Sequence, residues 1–199
     1  MQRKLILGVA GILGAVLLIW GFAFATPYEL HGSEITSKVP APAVNLTRAD
    51  GSSFELSGRK GRIVLVFFGY TSCPDVCPTT LADMKRIKAD LGERAAEVDF
   101  VFITVDPQRD TPERVQAYAS GFSQDFIGLS GSEGELEPVW QGYGVFRKIQ
   151  ESQSAAGYLV DHSARVYLVD KTNQLRVTYT YGTPVEDMAN DIRYLLKEN

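Results

Sequence analysis

The stretch RIVLVFFGY, Arg62 to Tyr70, restricts the fold of this chain more than any other. It is a continuous apolar run, rich in β-branched and aromatic residues. A run of that kind reads as a strand buried on both faces. VDFVFITVD, Val98 to Asp106, is a second one. Between them Pro78 begins a helical pattern that sets Leu81, Met84, Ile87 and Leu91 on one face.

The rest of the domain continues the alternation. RADGSS (Arg48–Ser53) is a turn between short extended pieces, a hairpin candidate. In DTPERVQAYASGF, Asp110 and Glu113 have capping-box spacing and Pro112 sits near the first helical position. Ser132 and Glu135 offer the same box for a further helix. ARVYLVD (Ala164–Asp170) and QLRVTYTYG (Gln174–Gly182) flank KTN as a hairpin. Thr183 and Glu186, with Pro184 between them, open a last helix bearing Val185, Met188, Ile192 and Leu195 at helical spacing. Alternating β and α elements closed by an antiparallel hairpin predict an α/β sandwich around a mixed sheet.

The N-terminus is of another kind. Leu5 to Ala25 carries no charge and follows Arg3 and Lys4. As a helix it would reach roughly 30 Å, enough to cross a bilayer core, with the basic end on the cytoplasmic side. A cleaved signal peptide is the alternative, and Ala23-Phe24-Ala25 fits a cleavage site. The length of the run and Trp20 near its end favour an uncleaved anchor. The expected division is a membrane anchor at 1–25, a linker at 26–45 with three prolines, and a domain at 46–199. Hydrophobic residues begin at Leu5, leaving no transit segment ahead of the anchor. The expected placement is therefore a bacterial inner membrane, single-pass, with the domain in the periplasm. A net charge of −4 and the lack of a basic run after Lys4 argue against a nucleic-acid partner.

Only two cysteines occur, in GYTSCPDVCPTTL: Cys73 and Cys77, each followed by proline. They fall just after the first buried strand, where ligands bind in open α/β sheets. A disulfide here would close a tiny loop and add little stability, and a domain this size does not need one. Buried inert thiols sit badly with prolines that favour an exposed loop or first turn. At a helix N-terminus a thiol pKa falls, which serves redox chemistry and metal binding alike. Dithiol oxidoreductases usually keep two residues between their cysteines, and here there are three. A thiol peroxidase of related fold would place threonine three before the cysteine within Pro-x-x-x-Thr; here Thr71 is two before and Phe67 takes the proline place. The balance favours a metal. Two thiolates prefer soft ions such as Cu(I) or Zn(II). Of the two histidines, His31 lies in the linker and His162 just before a strand. Cys73, Cys77 and His162 would form a three-coordinate soft site with an open position. Structural zinc would want a fourth ligand, so copper is favoured.

Three segments, VLVFFGYTSCPDVCPTTLADM, FVFITVDPQRDTPERVQAYASGF and YLVDHSARVYLVD, resemble the Sco/SenC copper chaperones of cytochrome c oxidase assembly. The resemblance runs from about Ala43 to Leu196. It implies a thioredoxin-like fold, with Cys73, Cys77 and His162 holding Cu(I) and also Cu(II). It implies delivery of copper to the binuclear site of oxidase subunit II, or reduction of that site's thiols. It also implies a Cys73–Cys77 pair that cycles between dithiol and disulfide, and as further partners another copper chaperone or a thioredoxin-like reductant. The expected function is thus binding and transfer rather than catalysis, with a thiol–disulfide oxidoreductase as the alternative. Weaker candidates are Asp75, which could tune charge or contact a partner or else serve as a turn or capping residue, and Asp161, an orienter of His162 that strand geometry disfavours because neighbouring side chains point to opposite faces. Asp106, Pro107, Arg109 and Asp110 could form the site's rim, a docking face or a helix start.

Overall fold

A computed structural model describes residues 14, 28–37, 39–151 and 157–198. The apolar run expected to cross a membrane lies outside them, apart from Gly14. Among the described residues no helix is long and apolar enough to cross a membrane.

Both continuous apolar runs are strands buried along their whole length, β4 (Ile63–Gly69) and β5 (Val98–Thr104). They pair in parallel as the centre of a six-stranded sheet. On one side β5 is followed by parallel β6 (Ile127–Leu129). On the other, β4 pairs antiparallel with β9 (Arg165–Val169), which forms the expected hairpin with β10 (Leu175–Thr180). The sheet is mixed, as expected. The edge beyond β10 is β1 (Ser33–Glu34), a short strand inside the segment expected to be linker. That segment is therefore no free spacer over its described residues; its backbone satisfies the edge of the sheet. The RADGSS turn joins β2 (Asn45–Thr47) to β3 (Ser53–Glu55) in a separate hairpin.

Among the described residues, four α-helices flank the sheet. The first, α1 (Val76–Leu91), buries Leu81, Met84, Ile87 and Leu91 as their spacing requires, and packs on α4 (Val185–Lys197). Next, α2 (Pro112–Ser120) packs on β6, and α3 (Glu133–Gly142) starts at the Ser132–Glu135 capping box. The other two expected boxes do not form. Thr111, not Asp110, caps α2 by accepting from the Arg114 N–H. Asp110 is buried and spends its carboxylate inside the fold. At α4 the Thr183 hydroxyl donates to the Thr180 carbonyl at 2.9 Å, closing the turn that Gly182 makes with a φ of 87°. Pro184 takes the cap position there and has no side-chain donor or acceptor to offer.

A second hairpin stands apart from the main sheet: among the described residues β7 (Arg147–Gln150) pairs with β8 (Leu159–His162) alone. It carries the histidine.

Candidate metal centre

The end of β4 delivers the first half of the site. After Gly69 the chain turns, with the Cys73 N–H donating to the Tyr70 carbonyl at 3.2 Å. Helix α1 then begins at Val76, two residues before the proline that was expected to open it. Proline is tolerated there because first-turn N–H groups have no acceptor within the helix. Cys77 is thereby placed inside the first turn, and its N–H points to the Cys73 sulfur at 3.4 Å. Asp75 stands at the cap position, yet its side chain caps nothing. The Cys73 sulfur does that job.

Gly69 explains how Cys77 fits. A Cβ on Gly69 would lie 2.7 Å from the Cys77 Sγ and 2.7 Å from the Phe102 ring. Only glycine lets the sulfur settle against the strand end, where Cys77 is fully buried. Cys73 is half-exposed beside it. The two sulfurs differ sharply in acidity. The Cys77 thiol donates toward Cys73, and that hydrogen bond holds the Cys73 thiol down at about 4, with His162 adding to the effect. Cys77 is pushed upward, by that donated bond first and by burial second. At neutral pH the pair is a Cys73 thiolate backed by a Cys77 thiol.

His162, at the end of β8, supplies the other half. Its Nε2 lies 3.5 Å from the Cys77 Sγ. The three candidate ligand atoms all lie within 4.8 Å of one another. The Tyr70 ring stands edge-on to the imidazole, centroids 5.9 Å apart, and Phe67 lies behind at 6.3 Å. Nδ1 faces the Ser163 carbonyl at 3.2 Å. That carbonyl, and not Asp161, is what the ring's second nitrogen meets. Asp161 points away and accepts from Gln150 at 2.8 Å. His31 is elsewhere: its Nδ1 is 2.7 Å from Asp191 on α4. A groove of about 410 Å³ opens onto the site between Tyr70, Cys73, Val76, Phe146, Leu159 and His162. Cys77 lies behind it. Two soft sulfurs and an imidazole this close suit a thiophilic ion such as Cu(I), with one side open to exchange.

The SCO1/SenC family model matches residues 37–197. The chain belongs to the SCO1/SenC family. An SCO2-like protein of Rickettsia prowazekii is 32% identical to it over 179 residues, 86% of each chain. The structure of Bradyrhizobium japonicum ScoI with copper bound superposes with a TM-score of 0.72 at 34% identity, covering 79% of this chain and all of that one, 100%. The solution structure of apo Sco1 from Thermus thermophilus gives a TM-score of 0.76 at 34% identity, over 86% of this chain and 100% of that one. The thioredoxin-like α/β fold with its mixed central sheet is therefore the fold this chain shares with SCO1/SenC proteins.

Around the three candidate ligands the structure gives work to residues the sequence left open. Asp110 accepts from the Thr71 N–H at 3.0 Å, from the Thr71 hydroxyl at 2.5 Å and from the Thr104 hydroxyl at 2.7 Å. It fixes the loop two residues before Cys73. Arg114 reinforces that loop through Thr71 at 2.8 Å and Ser72 at 3.1 Å. Pro107 lies in a turn closed by the Arg109 N–H on the Asp106 carbonyl. Tyr70, Tyr158 and Ser163 lie inside segments that carried the resemblance but were given no role there, and Arg147 lies outside them.

Proposed function

We propose that this protein is a membrane-anchored copper metallochaperone. It binds copper through Cys73, Cys77 and His162 and supplies it to the binuclear copper site of cytochrome c oxidase subunit II. Its membrane would be a bacterial inner membrane, with the domain on the periplasmic side. The observation that carries the reading is the convergence of the three ligand atoms within 4.8 Å beneath an open groove. A relative whose copper-bound form has the same fold at 34% identity supports it.

The sulfur asymmetry suits a carrier. Cys73 already offers a thiolate at neutral pH, so only Cys77 must give up a proton when copper is taken up. Release then has a natural order. Incoming thiolates would meet Cys73 and His162 at the groove first and Cys77 last.

One observation favours a second reading, a thiol–disulfide reductase acting on the oxidase copper-site cysteines. A half-exposed, acidic Cys73 beside a buried Cys77 is the arrangement of an attacking and a resolving thiol. Cu(I) titration of the reduced full chain, parent beside His162→Ala, separates the two. The carrier predicts one ion per chain and at least tenfold weaker binding in the variant. Parent-like binding by His162→Ala would sink the three-ligand site. Dithiol turnover that survives His162→Ala but not Cys73→Ser would favour the reductase.

A further inference from the structure

The hairpin that carries His162 has no strand partner in the main sheet, so something else must hold the imidazole in register with the sulfurs. Among the described residues, Val160 buries its side chain in the core, and two polar anchors add to its hold. On β7, Arg147 sits directly across from His162. Its Nε donates to the Val105 carbonyl at 2.5 Å, its Nη1 reaches Glu133 at 3.1 Å, and its guanidinium lies 4.9 Å from the Trp140 ring centre. Immediately before β8 the anchor is Tyr158. Its hydroxyl donates to the fully buried Asp106 at 2.6 Å. The Arg109 guanidinium covers its ring at 3.7 Å and donates to its carbonyl at 2.9 Å. Arg109 Nε in turn donates to Asp106 at 2.5 Å, closing a three-residue ring of contacts.

The short segment from Asp106 to Asp110 thus grips both halves of the site. Asp110 holds Thr71, two residues before Cys73, and Asp106 with Arg109 holds Tyr158, four residues before His162. We propose that Tyr158 is a positioning residue for His162, latching the imidazole hairpin to the same turn that fixes the thiolate loop. The inference rests on the copper reading for the identity of the metal, but not for the latch itself. The hydroxyl-to-carboxyl bond is the specific element, because it ends on Asp106, which is fully buried.

The test uses the full chain with Tyr158→Phe, which keeps the ring under Arg109 and deletes one hydrogen bond. In the reduced protein without copper, amide exchange in Leu159–His162 should quicken at least tenfold while Leu81–Leu91 in α1 stays as in the parent. Cu(I) binding should weaken about tenfold in the parent background and show no further loss in the His162→Ala background. Unchanged exchange at Leu159–His162, or equal weakening of Cu(I) binding with and without His162, would overturn the latch. If the parent binds no Cu(I), the carrier reading fails, and the exchange arm alone still decides for or against the latch.

Discussion

The two halves of the metal centre are held by different physics. Cys77 and the strand that precedes it sit inside a continuous apolar core. Phe67, Phe68, Phe100 and Phe102 line the central strands, and Phe100 stacks on Phe126 at 5.0 Å. His162 sits on a two-stranded hairpin that leaves Phe146 59% and Ile149 37% exposed. Its hold on the domain is one buried apolar side chain, Val160, and a few directional bonds from Arg147 and Tyr158. Apolar burial spreads its energy over many contacts, and no single loss frees the sulfurs. Polar anchors concentrate theirs, and one loss can shift a strand. On the proposed carrier reading, the thiolates would keep the cargo and the imidazole would be the adjustable ligand.

The largest way to break this contrast is through stability. Phe102 touches the end of β4 and rings with Phe67 at 5.9 Å and Tyr118 at 5.6 Å. Phe102→Ala should cost about 3–5 kcal/mol in urea unfolding of the full chain. Phe146→Ala, on the exposed hairpin, should cost less than about 0.5 kcal/mol. Comparable losses would mean that the hairpin is part of the core after all, and the contrast would fall.

The next effect is chemical and tests the asymmetry inside the thiolate half. With its thiol held at about 4, Cys73 is almost wholly thiolate from about pH 6 upward. Its alkylation by iodoacetamide should therefore be nearly flat between about pH 6 and pH 8. An ordinary cysteine, titrating near 8.5, would slow roughly tenfold per pH unit over the same span. The Cys73 rate should decline only as pH approaches 4. Cys77, buried and shifted upward, should stay unmodified while the fold is intact. Mass mapping of the label decides it; a steep pH slope at Cys73, or label on Cys77, would dissolve the asymmetry.

The same contrast explains what the sequence could and could not tell. Strands β4 and β5 were legible because a doubly buried strand writes itself as an unbroken apolar run. The Cys73–Cys77 pair and His162 were legible as residue types whose chemistry is rare, and the structure places them together. The latch was not legible. Tyr158 opens a segment that carried the resemblance, and Asp106 and Arg109 were candidates for the rim, but which residue pairs with which depends on partners 52 positions apart, and 42 for Arg147. Asp110 shows how a local signal misleads. Its spacing to Glu113 matches a capping box, but a buried carboxylate goes where donors are, and Thr71 and Thr104 outbid the helix. Likewise nothing in the proline-bearing segment before residue 45 announced that β1 would complete the sheet edge.

That N-terminal segment offers the smallest and finest test, because it too is held by polar anchors at the rim of the domain. Asp191, fully buried on α4, accepts from the Tyr28 hydroxyl at 2.7 Å, the Tyr179 hydroxyl at 2.9 Å and the His31 backbone N–H at 3.0 Å. The His31 imidazole joins at 2.7 Å, with Asp187 at 3.8 Å. The Asp191 hydrogen bond raises the His31 pKa above its ordinary value near 6.5, against a smaller opposing effect of desolvation. A raised folded pKa means that the charged imidazole stabilises the fold fully below about pH 6.5, and that this contribution is lost as pH climbs through the raised value. His31→Ala should therefore destabilise the full chain more at pH 6 than at pH 9. The imidazole is more than one-third exposed, 37%, so solvent screening keeps the difference under about 1 kcal/mol. The backbone N–H and both tyrosines remain to satisfy Asp191 in the variant, which caps the penalty further. Urea midpoints at the two pH values measure it. A larger loss at pH 9 would show that His31 acts through packing rather than charge, and would remove this clasp from the class of polar anchors to which the His162 hairpin belongs.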